Sequence, residues 1–319
     1  MKKTIVIVLS ILILFTLFIT WQRAKKKNAE DIPESRLKVV ATIFPQYDFV
    51  REIAGDKVSL EMLIMPGAES HSYEPTPQDI IKIKNSDVFI YVGGESDEWI
   101  NKILSSIDME NKKIITLMSI VKPVKEEIVE GMQEEEGGEE EEGEYDEHVW
   151  TSIKNAQKIT IALSKMLQES DKENAEFYKQ NTDRYIKELK ALDKDFKEIV
   201  AKGKRKTIIF GDRFPFRYFA DEYKLKYFAA FPGCSNETEA NAATIAFLID
   251  KVKEEKIPIV FYIEFSNEKI ADIIASSAKA KTLLLHSAHN VSKKDFESGV
   301  SYLDIMKKNA QNLKEALWL

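Results

Sequence analysis

Short apolar runs alternate with helical patterns twice along this chain, and that repeated alternation constrains the fold more than any other feature. In the first half, residues 38–42, 59–64, 88–92 and 113–117 read as strands, with helices over 46–54, 76–85 and 96–106 between them. Thr76 followed by Pro77 has the form of an N-cap with proline at the first helical position, where a backbone N–H is not needed. In the second half, residues 207–210, 226–230, 259–263 and 282–285 read as strands, with helices at about 215–223, 237–255, 267–278 and 299–317. A helix over 151–167 leads into the middle of the chain, where Ser170-Asp-Lys-Glu173 has capping-box spacing. From there helical periodicity runs unbroken to about Lys202, with Phe177, Ile186, Leu189, Leu192, Phe196 and Ile199 near helical spacing. Some thirty residues make a rod of about 45 Å, longer than a small domain is wide. The expected architecture is therefore α/β: two lobes, each a parallel sheet flanked by helices, joined by a single long helix. The expected divisions are a segment 1–31, a first lobe 32–168, the connecting helix 169–204 and a second lobe 205–319.

Charge is distributed unevenly. Residues 1–27 carry six Lys/Arg and no acid, and residues 126–147 carry thirteen Asp/Glu and no base. Removing these from 46 basic and 53 acidic residues leaves 40 of each, so the body offers no basic excess for a nucleic acid. The acidic run is nearly devoid of apolar residues and reads as a mobile, solvated loop interrupting the first lobe, either a spacer or a weak collector of cations. At the N-terminus, Lys2-Lys3 precede an apolar run of eighteen residues from Thr4 to Trp21, and Arg23 and Lys25-Lys-Lys27 follow it. This is an export signal or membrane anchor rather than part of the fold. At 1.5 Å per residue it spans about 27 Å, enough for a bilayer core. No small-x-small site follows it and no cysteine stands there to carry a lipid, so an uncleaved anchor is expected over a cleaved signal.

Cys234 is the only cysteine, which excludes an intrachain disulfide, a CxxC pair and a multi-cysteine zinc site. It reads as a small buried packing residue. The sequence contains no G-x-G-x-x-G, P-loop, G-x-S-x-G or H-E-x-x-H motif, which counts against nucleotide binding, serine hydrolysis and metalloprotease chemistry. Four histidines remain, and all of them fall on connections. His71 lies between a strand and a helix, His148 lies where the acidic run meets the next helix, and His286 and His289 directly follow the last strand. Open α/β sheets place ligand sites at such positions, and neutral imidazoles converging between two lobes suit Zn²⁺.

Three stretches resemble the extracytoplasmic solute-binding receptors of zinc and manganese ABC importers: Pro66-Gly-Ala-Glu-Ser-His-Ser-Tyr-Glu-Pro-Thr-Pro77, Asp146-Glu-His-Val-Trp150 and Tyr302-Leu-Asp-Ile-Met-Lys-Lys-Asn309. The similarity covers nearly all of residues 37–317. It implies capture of Zn²⁺ between the lobes and delivery to a permease with its ATPase, without chemical turnover, by a monomer tethered at the cell surface or in the periplasm. More positive charge follows the N-terminal run than precedes it, which alone would keep the body in the cytoplasm; the resemblance places it outside. His71 and His148 match the family's first two histidines. Arg213, in Gly211-Asp-Arg-Phe-Pro-Phe-Arg-Tyr218, stands where the third is expected, and arginine cannot ligate. His286 takes the position of the family's usual acid. The last ligand is left to His289, water, Glu264 or Asp212. Imidazole ligands favour Zn²⁺, with Mn²⁺ or Fe²⁺ gaining ground if a carboxylate completes the site. Two other readings are a zinc hydrolase with Glu264 as base, and a metal-containing surface adhesin.

Overall fold

The computed structural model of the chain describes residues 36–69, 73–108, 110, 112–132, 144–235 and 239–319. His71, the N-terminal apolar run and the centre of the acidic run lie outside the described residues. The first sheet is built from β1 (Leu37–Ala41), β2 (Val58–Met62), β3 (Val88–Tyr91) and β4 (Lys113–Thr116), all parallel, in the order β2-β1-β3-β4. Around it lie α1 (Phe44–Ala54), α2 (Pro77–Asn85), α3 (Glu98–Leu104), the short α4 (Leu117–Ile120) and α5 (Ile153–Ser170). The long helix α6 (Ala175–Lys202) follows. The second sheet contains β5 (Thr207–Phe214), β6 (Lys226–Pro232), β7 (Ile259–Tyr262) and β8 (Lys281–Leu284), again all parallel, in the order β6-β5-β7-β8. Its helices are α7 (Arg217–Tyr223), α8 (Ala242–Glu254), α9 (Lys269–Ala278), α10 (Lys293–Glu297) and α11 (Tyr302–Trp318). The two sheets share one winding scheme. In each, the chain leaves a central strand toward both sides, which opens a crevice at the carboxyl ends of the strands.

The eight strands lie where the apolar runs put them, because strands covered on both faces read as continuous Val/Ile/Phe runs. Thr76 caps α2 as its sequence implies, and Asp79 returns a bond to the Thr76 backbone N–H at 2.9 Å. α6 spans about 42 Å at 1.5 Å per residue. Its buried stripe is Tyr178, Thr182, Tyr185, Leu189, Leu192, Phe196 and Ile199, spaced by alternating steps of three and four. Phe177, expected in this stripe, is largely outside it, and Tyr178 packs inward instead with its hydroxyl on Asp171. One apolar cluster runs from Val39 and Ile90 of the first sheet through Leu189 and Phe196 to Phe210 and Phe261 of the second. The lobes thus share a core, and Leu37–Leu319 forms one compact unit.

Several helix boundaries differ from expectation, among them the helix expected from about 237, which begins at Ala242 behind an Asn241 cap. Ser170 closes α5 by donating to the Met166 carbonyl rather than capping α6, and the Asp171 carboxylate gathers Asn174 and Tyr178 at the start of the long helix. The helix expected from residue 299 begins at Tyr302, because Gly299 turns the chain with φ of 77° and Ser301 forms a capping box with Asp304. Gly211 of β5 has a different constraint. A Cβ there would lie 2.4 Å from the Cα of Ala271, so α9 can approach the sheet only because residue 211 lacks one. Gly211→Ala is expected to cost about 1–3 kcal/mol through backbone overlap, read as a lower urea midpoint at unchanged slope.

Candidate metal site

A cavity of ≈ 20 Å³ opens where the carboxyl ends of the strands in the two lobes meet. A single water needs roughly 10–15 Å³ on the same measure, so the space between the described residues is of the size of an ion or a water. Ala68 and Glu69 reach it from the connection after β2, and His148 from the turn before α5. The second lobe contributes Arg213 at the end of β5, Glu264 after β7, and Ser287, His289 and Asn290 after β8.

His148 is buried and oriented by one carboxylate. Asp146 Oδ1 accepts from the His148 backbone N–H at 2.8 Å and lies 3.3 Å from ring Nδ1. Donation from Nδ1 to Asp146 assigns the lone pair to Nε2, the tautomer a metal requires. Asp146 is itself held, since its backbone carbonyl accepts from the Tyr218 hydroxyl at 2.7 Å. Burial lowers the pKa of the ring, but Asp146, Glu147 and Glu126 outweigh that and the net shift is upward. The His289 ring faces His148 edge to face at 5.4 Å between centroids and packs 5.1 Å from buried Trp150, whose Nε1 donates to the Ser287 carbonyl at 2.8 Å.

The two histidines after β8 diverge because Ala288 adopts a left-handed conformation, φ 61°. This turn brings the Ala288 N–H onto His286 Nδ1 at 3.0 Å and sends the next side chain toward the cavity. His289 therefore lines the cavity and His286 does not. Glu264, also considered as a ligand, serves as the anchor of the turn. It accepts from the Ser287 N–H at 2.7 Å, the Ser287 hydroxyl at 2.5 Å and the His289 N–H at 3.2 Å, with His286 Nδ1 at 3.4 Å. Burial disfavours its charge, but His286, once its ring is protonated in place of the Ala288 bond, and the Ser287 donors reverse the effect and hold its pKa down at about 2. Asp212 is not among the residues lining the cavity: its carboxylate caps the backbone N–H groups of Arg213 and Ile263. Among the described residues, no three His, Cys, Asp or Glu side chains form a group able to hold a metal ion. His71 lies outside them.

Arg213 pairs with Glu69 of the opposite lobe at 3.3 Å and donates to the Ser235 carbonyl. The described ends of the acidic run depart from a solvated loop. Lys125 bridges Tyr145 in antiparallel fashion, the Glu126 N–H donates to the Glu144 carbonyl, and Asp146 and Glu147 are buried. Glu126 also accepts from the Cys234 N–H at 2.8 Å. Cys234, expected to be buried, is half-buried and does not line the cavity, and its desolvated surroundings raise its thiol well above the usual range. The aromatic residues Phe214, Phe216, Tyr218 and Phe219 are core. Glu69, Asp146 and Asn290 escaped the search of the sequence for ligands because they act by holding other groups, and only their place beside a histidine marks them.

Two parallel-sheet lobes on one helical spine, with an ion-sized cavity walled by both, define a two-lobed binding protein. Residues 39–316 match the family described as zinc-uptake complex component A periplasmic, ZnuA. The high-affinity zinc uptake system protein ZnuA of Bacillus subtilis is 32% identical over 308 residues, covering 95% of this chain and 94% of that protein. The zinc-binding lipoprotein AdcA of Streptococcus pneumoniae is also 32% identical, but the chain spans only 56% of its length. The Zn(II)-bound ZnuA-like domain of pneumococcal AdcA superposes with a TM-score of 0.73 at 29% identity, covering 89% of this chain and 99% of that domain. The metal-dependent lipoprotein YcdH of B. subtilis does so with a TM-score of 0.75 at 31% identity, covering 89% of this chain and 100% of that chain. The chain belongs to the ZnuA family.

The depressed pKa of Glu264 makes a stability prediction with a definite sign. Between its usual 4.5 and about 2 the unfolded chain binds more protons than the folded one, so stability falls as pH drops through that window. Glu264→Gln is expected to flatten this part of the curve of unfolding free energy against pH.

Proposed function

We propose that this protein is an extracytoplasmic receptor that captures Zn²⁺ between its lobes and delivers it to an ABC permease driven by its ATPase. The observation that carries the reading is the facing pair His148 and His289 at an ion-sized cavity, with His148 fixed in the metal-binding tautomer by Asp146. Glu69 lines the same cavity, and His71 is two residues further along the chain, a span of at most about 7 Å. The proposed ligands are therefore His71, His148 and His289, with His286 supporting Glu264. Three imidazoles favour Zn²⁺ over Mn²⁺ or Fe²⁺.

Several observations support a receptor over a hydrolase. The space between the described residues is ion-sized, and Glu264, the candidate base of a hydrolase, is committed to the donors of Ser287 and His289 and held at a pKa of about 2. The adhesin reading draws only on shared fold: the laminin-binding adhesin Lmb of Streptococcus agalactiae has a TM-score of 0.72 at 23% identity. We place the protein at the outer face of the cytoplasmic membrane as a monomer. Since the single cysteine is Cys234, the apolar run Thr4–Trp21 is the proposed tether. Among the described residues no helix is long and apolar enough to cross a membrane.

Competition titration with Zn²⁺ and Mn²⁺ tests the assignment. Partners that merely orient a ligand are worth about 10–100-fold in affinity, so His71→Ala, His148→Ala and His289→Ala are each expected to lose more than about 100-fold for Zn²⁺. His286→Ala should lose less than about tenfold by the same comparison. Loss of binding in His286→Ala with retention in His289→Ala would reverse the assignment. Protons compete with the metal for His148, whose pKa is raised, so affinity should begin to fall above the ordinary histidine range near 6.5 as pH decreases. Zn²⁺ affinity that stays flat from neutral to acid pH contradicts imidazole ligation.

A further inference from the structure

The residue after His289 reaches across to the other lobe. Asn290 is buried, and its carboxamide nitrogen donates to the Met65 carbonyl and to the Ala68 carbonyl, both at 2.9 Å. Its oxygen accepts from the Val291 N–H at 2.8 Å, so every polar atom of the amide has a partner. The two carbonyls belong to the turn after β2, in which the Ala68 N–H bonds back to the Met65 carbonyl and Gly67 supplies a φ of 85°. At the far end of the same turn, Glu69 meets Arg213 of the second lobe at 3.3 Å. The turn from Met65 to Glu69 is thus gripped by the second lobe at two points, one a buried amide and the other an ion pair at the cavity wall.

Resting on the receptor reading above, we infer that Asn290 is a positioning residue that clasps the Met65–Glu69 turn onto the second lobe, and that Arg213 and Glu69 form the outer catch of this closure. The His289 backbone N–H is anchored on Glu264, and the very next side chain fastens the opposite lobe. Seating a cation against the His289 ring and holding the turn are therefore acts of one rigid dipeptide. An ion seated against His289 leaves when the turn lifts, and lifting it breaks two part-buried hydrogen bonds donated by a buried amide. The clasp accordingly sets the release rate more than the capture rate, as affinity differences within one interface generally do.

The experiment uses the full chain in detergent micelles and two readouts. The first is hydrogen exchange at the Ala68 amide without metal, which reports the clasp itself. In Asn290→Asp, whose carboxylate repels both carbonyls, exchange at Ala68 is expected to quicken about tenfold or more, while amides of β1 and β5 stay protected. The second is Zn²⁺ release into excess chromogenic chelator, expected to be about tenfold or more faster in Asn290→Asp at a capture rate within about threefold of the parent. Unchanged Ala68 exchange in the folded variant overturns the clasp, and so does unchanged release despite quickened exchange. If the parent chain binds no Zn²⁺, the receptor reading fails, and Ala68 exchange still decides whether the clasp exists. Should Asn290→Asp fail to fold, the charge-reversed pair Glu69→Arg with Arg213→Glu decides. Release slower than in either single variant supports the catch, and release as fast as in both overturns it.

Discussion

An imidazole can bind a metal only when it shows the right nitrogen and is aimed at the ion, and in this protein buried carboxylates fix the aim of the histidines at the cavity. Asp146 holds the ring of His148 through Nδ1, and Glu264 holds the backbone that presents His289. Both carboxylates are satisfied locally. Asp146 bonds within its own turn, and Glu264 collects the donors of Ser287 and His289, so neither is left as an uncompensated charge. The cavity inherits its geometry from these two anchors, and the sheets serve to bring them to the same end of the molecule.

The fold is largely legible in the sequence because parallel strands buried on both faces must be continuous apolar runs, and eight such runs alternate with helical periods. The site is legible only to the level of residue type and position. Four histidines on connections point to a cation, but the choice between His286 and His289 depends on a left-handed Ala288, and alanine gives no sign of that conformation. Ser170 misleads for a similar reason. Its spacing to Glu173 satisfies a capping pattern, yet the hydroxyl finds the Met166 carbonyl of the helix it ends. Local patterns name the groups able to bond, and the tertiary structure selects among them.

The common core explains why two similarly wound sheets form one unit. α6 lays tyrosine, leucine and phenylalanine side chains against both lobes, so the lobes are continuous at the helix and meet again across the cavity. The molecule is joined at its spine, and Asn290 and the Arg213–Glu69 pair bond the lobes again beside the cavity. Arg213 stands where the resemblance leads one to expect a ligand and contributes adhesion between lobes instead.

The antiparallel stitch at the ends of the acidic run has a practical corollary. Lys125 and Tyr145 bridge, Glu126 pairs with Glu144, and Asp146 with Val124, so the chain enters and leaves this excursion at a closed neck. Lengthening a loop whose ends are already fastened adds only a small logarithmic entropy term. The neck thus makes the stretch between its ends a place to graft a fluorophore or purification handle without parting the Lys125–Tyr145 bridge.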